Sequence, residues 1–429
     1  MENLRSKVFY GWWIVAAGFL VAFCGGVHSY ISGQFIPMLE ALTGTTSPGE
    51  LGTGFALLSV ASLAGAIIAL AGGLLIDRHG PRRAMLIGIP IAGISVMTLS
   101  AVNSLPAYYL LQGTLLTFGR QVGFYLPVVA AAANWFIKRR SIALGIVSAA
   151  VILGSFAFSS LGDLLSDGLG RQGAFLTLGG ASLLVGVPLA FVMRHRPEQH
   201  GYLPDGRLPA TKGSAGAEAE QKDIRTETDF SLRQALRTRV FWMLAAAVAL
   251  SWVMGSMLLS ARTLYMRDLG PDTTAVALDG RLVGVVVAVM LVFGYLGDKF
   301  SKRHLLAIVV ALQVASLIFL VAPASTALFH TYNLVSSMGS GITPLALAIR
   351  ADYFGRWSFA TVTVMAGIIG VITVIPLSLG LGSLSTSIVD TRGDLLLSTI
   401  PTIVVGIVSA GLFLLAKPPK RPIPEIPPQ

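Results

Sequence analysis

The sequence is poor in charged residues. They make up 12% of its 429 residues, and hydrophobic residues make up 54%, whereas about 25% of the residues of a soluble domain are charged. The mean hydropathy is +0.74. So little charge excludes a water-soluble fold and indicates that most of the chain lies in a bilayer.

Cysteine is almost absent, and so are the residue clusters typical of enzymes. Cys24 is the single cysteine, so neither a disulfide nor a cysteine metal site can form within the chain, and we predict that it packs as a small apolar residue. The sequence contains no recognisable nucleophile-base pair, glycine-rich phosphate loop or metal-ligand cluster. We therefore expect no enzyme activity, no metal and no cofactor.

The apolar residues form runs of about 20 residues, each long enough to cross a hydrocarbon core of about 30 Å. The runs do not alternate apolar and polar residues, as the strands of a membrane barrel do, and a helix satisfies its own backbone in lipid. We predict an all-α integral membrane protein with twelve transmembrane helices. The predicted spans are 11–38, 51–76, 84–102, 106–135, 141–165, 173–193, 240–264, 275–296, 305–321, 325–349, 359–384 and 395–416.

The basic residues predict the orientation of these spans. Most of the 31 Lys and Arg residues fall in loops on one side of them, and positively charged loops stay in the cytoplasm. We therefore predict two cytoplasmic termini and a multi-pass protein of the cell membrane, in a bacterial inner membrane. Because topology accounts for the net charge of +10, we expect no nucleic-acid partner.

The spans divide into two groups of six. We predict an N-terminal half at 1–193, a cytoplasmic linker at 194–237, a C-terminal half at 238–416 and a proline-rich cytoplasmic tail at 417–429. The linker is rich in Gly, Pro, Ala and charge, which is typical of a flexible segment, and a short amphipathic helix is expected from Ser231. We expect the protein to be a monomer.

Two loops indicate an internal repeat. GLLIDRHGPRR begins at Gly73 and GYLGDKFSKR at Gly294, and their acids, Asp77 and Asp298, are 221 residues apart (298 − 77). A second pair of segments aligns Phe136 with Phe354, 218 residues apart (354 − 136). Two matches at nearly one spacing predict a duplicated six-helix unit, with a binding site between the halves near the bilayer midplane.

The first loop resembles the signature loop of the major facilitator superfamily. The matching residues are Gly73, Asp77, Arg78, Gly80, Arg82 and Arg83. FYGWWIV, NWFIKRRSIALG and ADYFGRW resemble its monocarboxylate transporter and oxalate:formate antiporter branch. The resemblance implies a secondary transporter in which Asp77, with Arg78 and Arg82, latches the cytoplasmic side while the protein faces outward. The copy at Gly294, Asp298 and Lys299 is a second candidate latch. The alternative is that these are ordinary topology-setting loop charges.

Two arginines lie within predicted spans, where charge is costly and is by default functional. Arg120 lies 14 residues after Pro106 (120 − 106), about 20 Å along a helix and thus near mid-membrane. Its guanidinium could bind an anionic substrate group, or it could be a structural partner for a carbonyl or a buried acid. Arg281 could bind substrate or extend to the outer interface.

Other polar residues of the spans are candidates for the same cavity. His28, Tyr30 and Gln34 lie in the outer half of the first span, and Tyr125 lies five residues after Arg120. His28 could carry a coupling proton, since its unperturbed pKa is near 6.5. The alternative for such residues is hydrogen bonding between helices.

The chain departs from the monocarboxylate transporter pattern. Those proteins typically have an Asp and an Arg one turn apart in the eighth span, and many animal members have a Lys in the first. The chain has Val286, Met290 and Tyr30 at these positions. We predict a transporter of a small organic anion, most simply a carboxylate, with proton coupling left open. The alternatives are efflux of an amphipathic metabolite or drug and, more remotely, a membrane sensor that does not transport.

Overall fold

The described part of the chain is a bundle of helices without strands. The structure, a computed structural model, describes residues 9–44, 48–206, 229–268, 279–321, 325–392 and 395–420. Its helices are α1 (Tyr10–Thr43), α2 (Pro48–His79), α3 (Pro81–Leu99), α4 (Leu105–Trp135), α5 (Arg140–Ala190), α6 (Leu232–Leu236), α7 (Arg239–Asp268), α8 (Asp279–Lys299), α9 (Lys302–Val321), α10 (Thr326–Phe354), α11 (Phe359–Arg392) and α12 (Leu395–Leu415).

Ten of the helices are long and apolar enough to cross a bilayer. α5 covers two predicted spans, because Gly170 has a φ of 71° and folds the 51-residue helix into two arms; such a φ is unstrained only for glycine. Most of α12 is a shorter apolar helix, Thr399–Leu415. With α5 counted as two arms and α12 as a span, the helices match the predicted twelve. That count, and the cytoplasmic position of the termini, remain predictions.

The buried apolar side chains form two clusters. One combines α1 to α5 with a few residues of α10 and α11, and the other combines α6 to α12. We call residues 9–206 the N-terminal unit and residues 229–420 the C-terminal unit. The boundary between the units falls within the predicted linker, 194–237, and the first unit includes residues 194–206 because they are folded. The short helix expected from Ser231 is present, and Ser231 caps it.

Small residues allow the helices to pack closely. A Cβ on Gly26 would overlap the backbone of Gly154, so α1 and the first arm of α5 are almost in backbone contact. Such contacts replace the hydrophobic driving force that helices lack in lipid.

The two units touch at the end of the bundle that contains Asp77 and Asp298, which we call the signature end. A Cβ on Gly145 would lie 2.9 Å from the carbonyl oxygen of Met290, and one on Gly294 would lie 2.9 Å from that of Ser141. α5 and α8 therefore meet across the units without intervening side chains. This close contact makes the signature end compact.

Candidate functional site

A cavity of about 200 Å³ lies between the two units. α2 and α4 line it from the N-terminal unit, and α7, α10 and α11 line it from the C-terminal unit. Most of its wall is apolar and includes Trp252, Val364 and Ile368. Its polar lining consists of Arg120, Gln121, Tyr125, Thr343, Arg350 and Thr363.

Arg120 lies on this cavity where α4 leaves regular α-helical geometry. A π-helical turn runs from Arg120 to Tyr125, and it bonds residues five apart, so that both side chains come to the cavity side of α4. The Nε of Arg120 is buried and has no hydrogen-bond partner among the described residues. The structural alternative for Arg120, a carbonyl or acid partner, therefore has no support from this atom.

Arg350 faces the same cavity from the other unit. The predicted span 325–349 ended one residue before Arg350, but the structure places Arg350 within α10, one turn before Phe354, with 8% of its surface exposed. The predicted end of this span was too early because α10 continues past residue 349. The uninterrupted helical pattern ITPLALAIRADYF was the signal that could have shown this.

The charged residues described as lining the cavity are all positive. It has two guanidinium groups, one from each unit, and none of the residues described as lining it is acidic. Two cations in a site shielded from water repel each other. A bound anion would relieve this repulsion and could accept charge-assisted hydrogen bonds from both groups.

The structure places the other predicted substrate residues at different distances from this cavity. Tyr125 lines it, whereas His28 lines a separate pocket of about 10 Å³ that it shares with Arg120. Tyr30 faces α5, where its hydroxyl lies 2.5 Å from the Oγ of Ser166, and it is not among the lining residues.

Two further candidates lie outside this arrangement. Gln34 lies at a turn of α1 between the segments Val27–Gly33 and Phe35–Thr43. Its N–H still bonds to the carbonyl oxygen of Tyr30 at 3.1 Å, so the two residues lie one helical turn apart, but Gln34 is not among the residues that line the cavity. The side chain of Arg281 lies outside the described residues.

At the signature end, each loop acid caps a helix of the opposite unit. Asp77 accepts hydrogen bonds from the backbone N–H groups of Ala360 (3.0 Å) and Thr361 (2.9 Å) and from the Thr361 hydroxyl (2.5 Å), at the start of α11. Asp298 accepts them from the N–H groups of Ser141 (2.7 Å) and Ile142 (3.2 Å), at the start of α5. A helix start has unpaired N–H groups and partial positive charge, so carboxylates are favourable there.

The neighbours of these acids have supporting positions. Gly73 faces the backbone of Thr361, from which an added Cβ would be 3.1 Å away, and Gly80 turns the chain with a φ of 88°. The guanidinium of Arg82 lies 4.4 Å from the ring centre of Phe191, and the ammonium of Lys299 lies 4.4 Å from that of Tyr295. Arg78 and Arg83 are exposed. The described bonds of Asp77 are thus to α11 and not to its own basic neighbours.

An ion-pair network that the sequence analysis did not identify lies beside these caps. Arg140 precedes the predicted span 141–165, yet it is 1% exposed, and its Nη1 lies 2.7 Å from a carboxylate oxygen of Asp352. Lys302 lies 2.7 Å from the other oxygen. The network joins α5 to α9 and α10, so it too crosses between the units.

His195 lies at the same end, beyond the spans, where it packs against Gly80. Burial, and then the charge of Arg196, lower the pKa of His195 to about 4. The imidazole is therefore neutral at pH 7, which suits its position beside a basic loop.

Known proteins share this fold and sequence pattern. The oxalate:formate antiporter of Oxalobacter formigenes is 27% identical over 325 residues, 70% of each chain. Monocarboxylate transporter 4 of Rattus norvegicus is 31% identical over 204 residues, 47% of this chain and 40% of that protein. The MFS-type transporter pynF of Aspergillus niger is 25% identical over 233 residues. The chain aligns with about half of the length of pynF.

A solved structure shares the fold of the chain, and a family model matches its sequence. The proton:xylose symporter XylE, solved with 6-bromo-6-deoxy-D-glucose, matches with a TM-score of 0.70 at 15% identity, over 95% of each chain. The model of the Major Facilitator Superfamily matches residues 14–326. The chain therefore belongs to the major facilitator superfamily, and it is a multi-pass membrane protein.

Proposed function

We propose that this transporter moves a small organic anion, most simply a carboxylate, by alternating access, and that Arg120 and Arg350 bind it together. The observation that carries the proposal is the meeting of two guanidinium groups from different units in one cavity whose described lining contains no acid. Two relatives named for oxalate, formate and monocarboxylates support this substrate class. A guanidinium matches a carboxylate in charge and in its paired hydrogen-bond geometry.

The cavity also suggests the size and character of the substrate. About 200 Å³ is below the range of roughly 300 to 1,000 Å³ typical of sites for drug-sized ligands. The apolar wall, with Trp252 from α7 and Ile368 from α11, would pack against the organic part of the anion, while the two arginines bind its charge. A small carboxylate fits this arrangement better than a large amphipathic molecule.

Alternating access follows from the position of the two arginines. Because they belong to different units, an anion bound to both would draw the units together around it. The caps from Asp77 and Asp298 close the signature end, which we predict to be cytoplasmic. The structure thus represents the state closed toward the cytoplasm in this proposal, and release there requires both caps to break.

One observation favours proton coupling. His28 and Arg120 line the same small pocket, and the Nδ1 of His28 is buried without a hydrogen-bond partner among the described residues. A proton on His28 would be repelled by Arg120 until an anion neutralises that charge. Anion binding and proton binding would therefore favour each other, as linkage requires.

A thermal-shift screen of the detergent-purified protein tests the substrate class. The panel contains mono- and dicarboxylates, amines and neutral solutes, because a ligand at 100 times its Kd stabilises by about 2.7 kcal/mol. We expect carboxylates alone to stabilise the parent, and Arg120→Gln and Arg350→Gln each to lose this effect. Arg171→Gln, which removes an arginine away from the cavity, should keep it.

Other outcomes separate the alternatives. Stabilisation by neutral or cationic amphipathic compounds only would replace the anion proposal with efflux. Carboxylate binding that weakens as the pH rises in the parent, but not in His28→Gln, would support coupling through His28. A pH-independent affinity would refute that role.

A further inference from the structure

The N-terminal part of the linker is hydrogen-bonded, through Asp205, to the loop between α4 and α5. The carboxylate of Asp205 accepts hydrogen bonds from the N–H groups of Ile137 (3.3 Å), Lys138 (2.9 Å) and Arg139 (3.4 Å). Asp205 has a φ of 61° and is the single non-glycine residue with positive φ in the described chain. An aspartate tolerates this conformation at some cost, and here the conformation places its carboxylate at the loop.

The C-terminal end of the linker makes the corresponding contact, through Asp229, in the other unit. The carboxylate of Asp229 accepts hydrogen bonds from the N–H groups of Arg356 (2.8 Å) and Trp357 (3.2 Å), in the loop between α10 and α11. The next residue, Phe230, donates its N–H to the carbonyl oxygen of Phe354 at 3.0 Å. This end of the linker is therefore fixed to the start of that loop.

The two contacts are equivalent under the internal repeat. The spacing of 218 residues that relates Phe136 to Phe354 also relates Lys138 to position 356 (138 + 218) and Arg139 to position 357 (139 + 218). The same backbone positions in the two units are thus bound by carboxylates from the two ends of one linker. The linker ends themselves lie outside the alignment of the repeated loops, so the duplication of the loops does not by itself supply these acids.

Each of these loops leads directly into a helix that the opposite unit caps. Asp298 caps the start of α5, and Asp77 caps the start of α11. In each unit, an acid of the same unit binds the loop, and an acid of the opposite unit binds the helix start that follows it. If the units separate at the signature end, the contacts across the units must break, whereas the contacts of Asp205 and Asp229 can remain.

We propose that Asp205 and Asp229 are positioning residues that keep the starts of α5 and α11 folded while the signature end is open. The N–H groups to which Asp298 and Asp77 must bind again when the signature end closes then stay in place, so closure is fast and repeatable. The inference rests on the alternating access proposed above. It assigns the ends of the linker a role in the transport cycle, where the sequence predicted only a flexible connection.

Hydrogen exchange of single amides in the full-length protein tests this directly. The double variant Asp77→Asn, Asp298→Asn weakens both contacts across the units and so populates the open signature end. We expect the amides of Ala360 and Thr361 to exchange faster in it, whereas those of Arg356 and Trp357 keep the protection that they have in the parent. Around the start of α5, the amides of Ser141 and Ile142 should likewise exchange faster, whereas those of Lys138 and Arg139 should keep their protection.

Variants of the linker acids complete the test. Asp229→Asn should speed exchange at Arg356 and Trp357 about tenfold, the factor expected when a charge-assisted hydrogen bond is lost. Asp205→Gly keeps the positive φ without the carboxylate and should do the same for the loop before α5, while Asp205→Asn, which also accepts this backbone conformation, should have a smaller effect. Asp167→Asn, an exposed acid elsewhere in α5, is the matched control.

Two results would overturn the inference. One is that, in the double variant, the amides of the two loops lose as much protection as the amides of the two helix starts. The linker contacts would then form and break together with the contacts across the units. The other is unchanged exchange in Asp229→Asn and Asp205→Gly. Neither result depends on a ligand, so both are separate from a failure of the anion proposal. In transport, the linker variants should lower turnover and leave ligand affinity unchanged.

Discussion

Replacing Asp77 with asparagine should open the signature end. The carboxylate of Asp77 accepts three hydrogen bonds at the start of α11, two from backbone N–H groups and one from a hydroxyl. Asparagine keeps one acceptor oxygen but loses the negative charge that faces the helix start. The variant is therefore close in shape to the parent and changes mainly the electrostatic part of the contact.

The size of the effect follows from that contact. A charge at a helix start contributes about 0.3 to 1 kcal/mol, and up to about 2 where it is partly buried, and hydrogen bonds to a charged group are stronger than neutral ones by about 1 kcal/mol. We expect the closed arrangement to lose about 1 to 2 kcal/mol. Since 1.4 kcal/mol is a factor of ten, the ratio of closed to open molecules should fall by about fivefold to thirtyfold.

Distances between spin labels can measure this ratio. His79 and His304 are exposed at the signature end, one in each unit, and both can be replaced with cysteine. Cys24, the single native cysteine, is buried, and Cys24→Ala removes it from the background. The Asp77→Asn variant should show a larger population at long distance than the parent in the same background.

A distance distribution that does not change on Asp77→Asn would refute the reasoning. The same holds if Asp167→Asn, which removes an exposed acid outside the caps, shifts the distribution as far as Asp77→Asn. A uniform broadening with loss of the folded protein would instead indicate a defect in stability, which thermal unfolding of the variant would show.

Three further perturbations have defined outcomes. Gly294→Ala should favour the open signature end in the same spin-label assay, because its Cβ would lie 2.9 Å from a backbone oxygen, whereas Gly284→Ala in the same helix meets nothing within 4 Å and should be neutral. Asp352→Asn should lower the thermal unfolding temperature clearly, since it leaves the buried charge of Arg140 without its full counter-charge. His195 loses proton affinity on folding, so stability should be complete above about pH 6.5 and decline toward pH 4; His195→Gln should flatten this pH profile of unfolding.

The sequence predicted the membrane bundle and its repeat because both are encoded in residue type. Apolar runs, loop charge and the Gly73 to Arg83 motif need no knowledge of packing. Arg120 was recognisable as a candidate because charge is rare at mid-span. The rarity of charge at mid-span did not identify Arg350, since it lies near a helix end. At that position the sequence does not distinguish an arginine that lines a cavity from one that sets the topology.

Contacts between side chains and backbone were harder to predict. The sequence showed Asp77 and Asp298 but not the helix starts that they cap. Asp205 and Asp229 were placed within a flexible linker, because their partners are backbone N–H groups that any residue supplies. The order of the linker ends arises from tertiary packing, which composition does not report.

Counterflow in proteoliposomes tests the central claim most directly. Vesicles containing the purified protein are loaded with an unlabelled carboxylate that stabilises it, and the entry of the same labelled carboxylate is followed. We expect rapid accumulation by the parent and by Arg171→Gln, and none by Arg120→Gln or Arg350→Gln. Equal accumulation by all four proteins, or accumulation of neutral solutes only, would contradict an anion site formed by the two arginines.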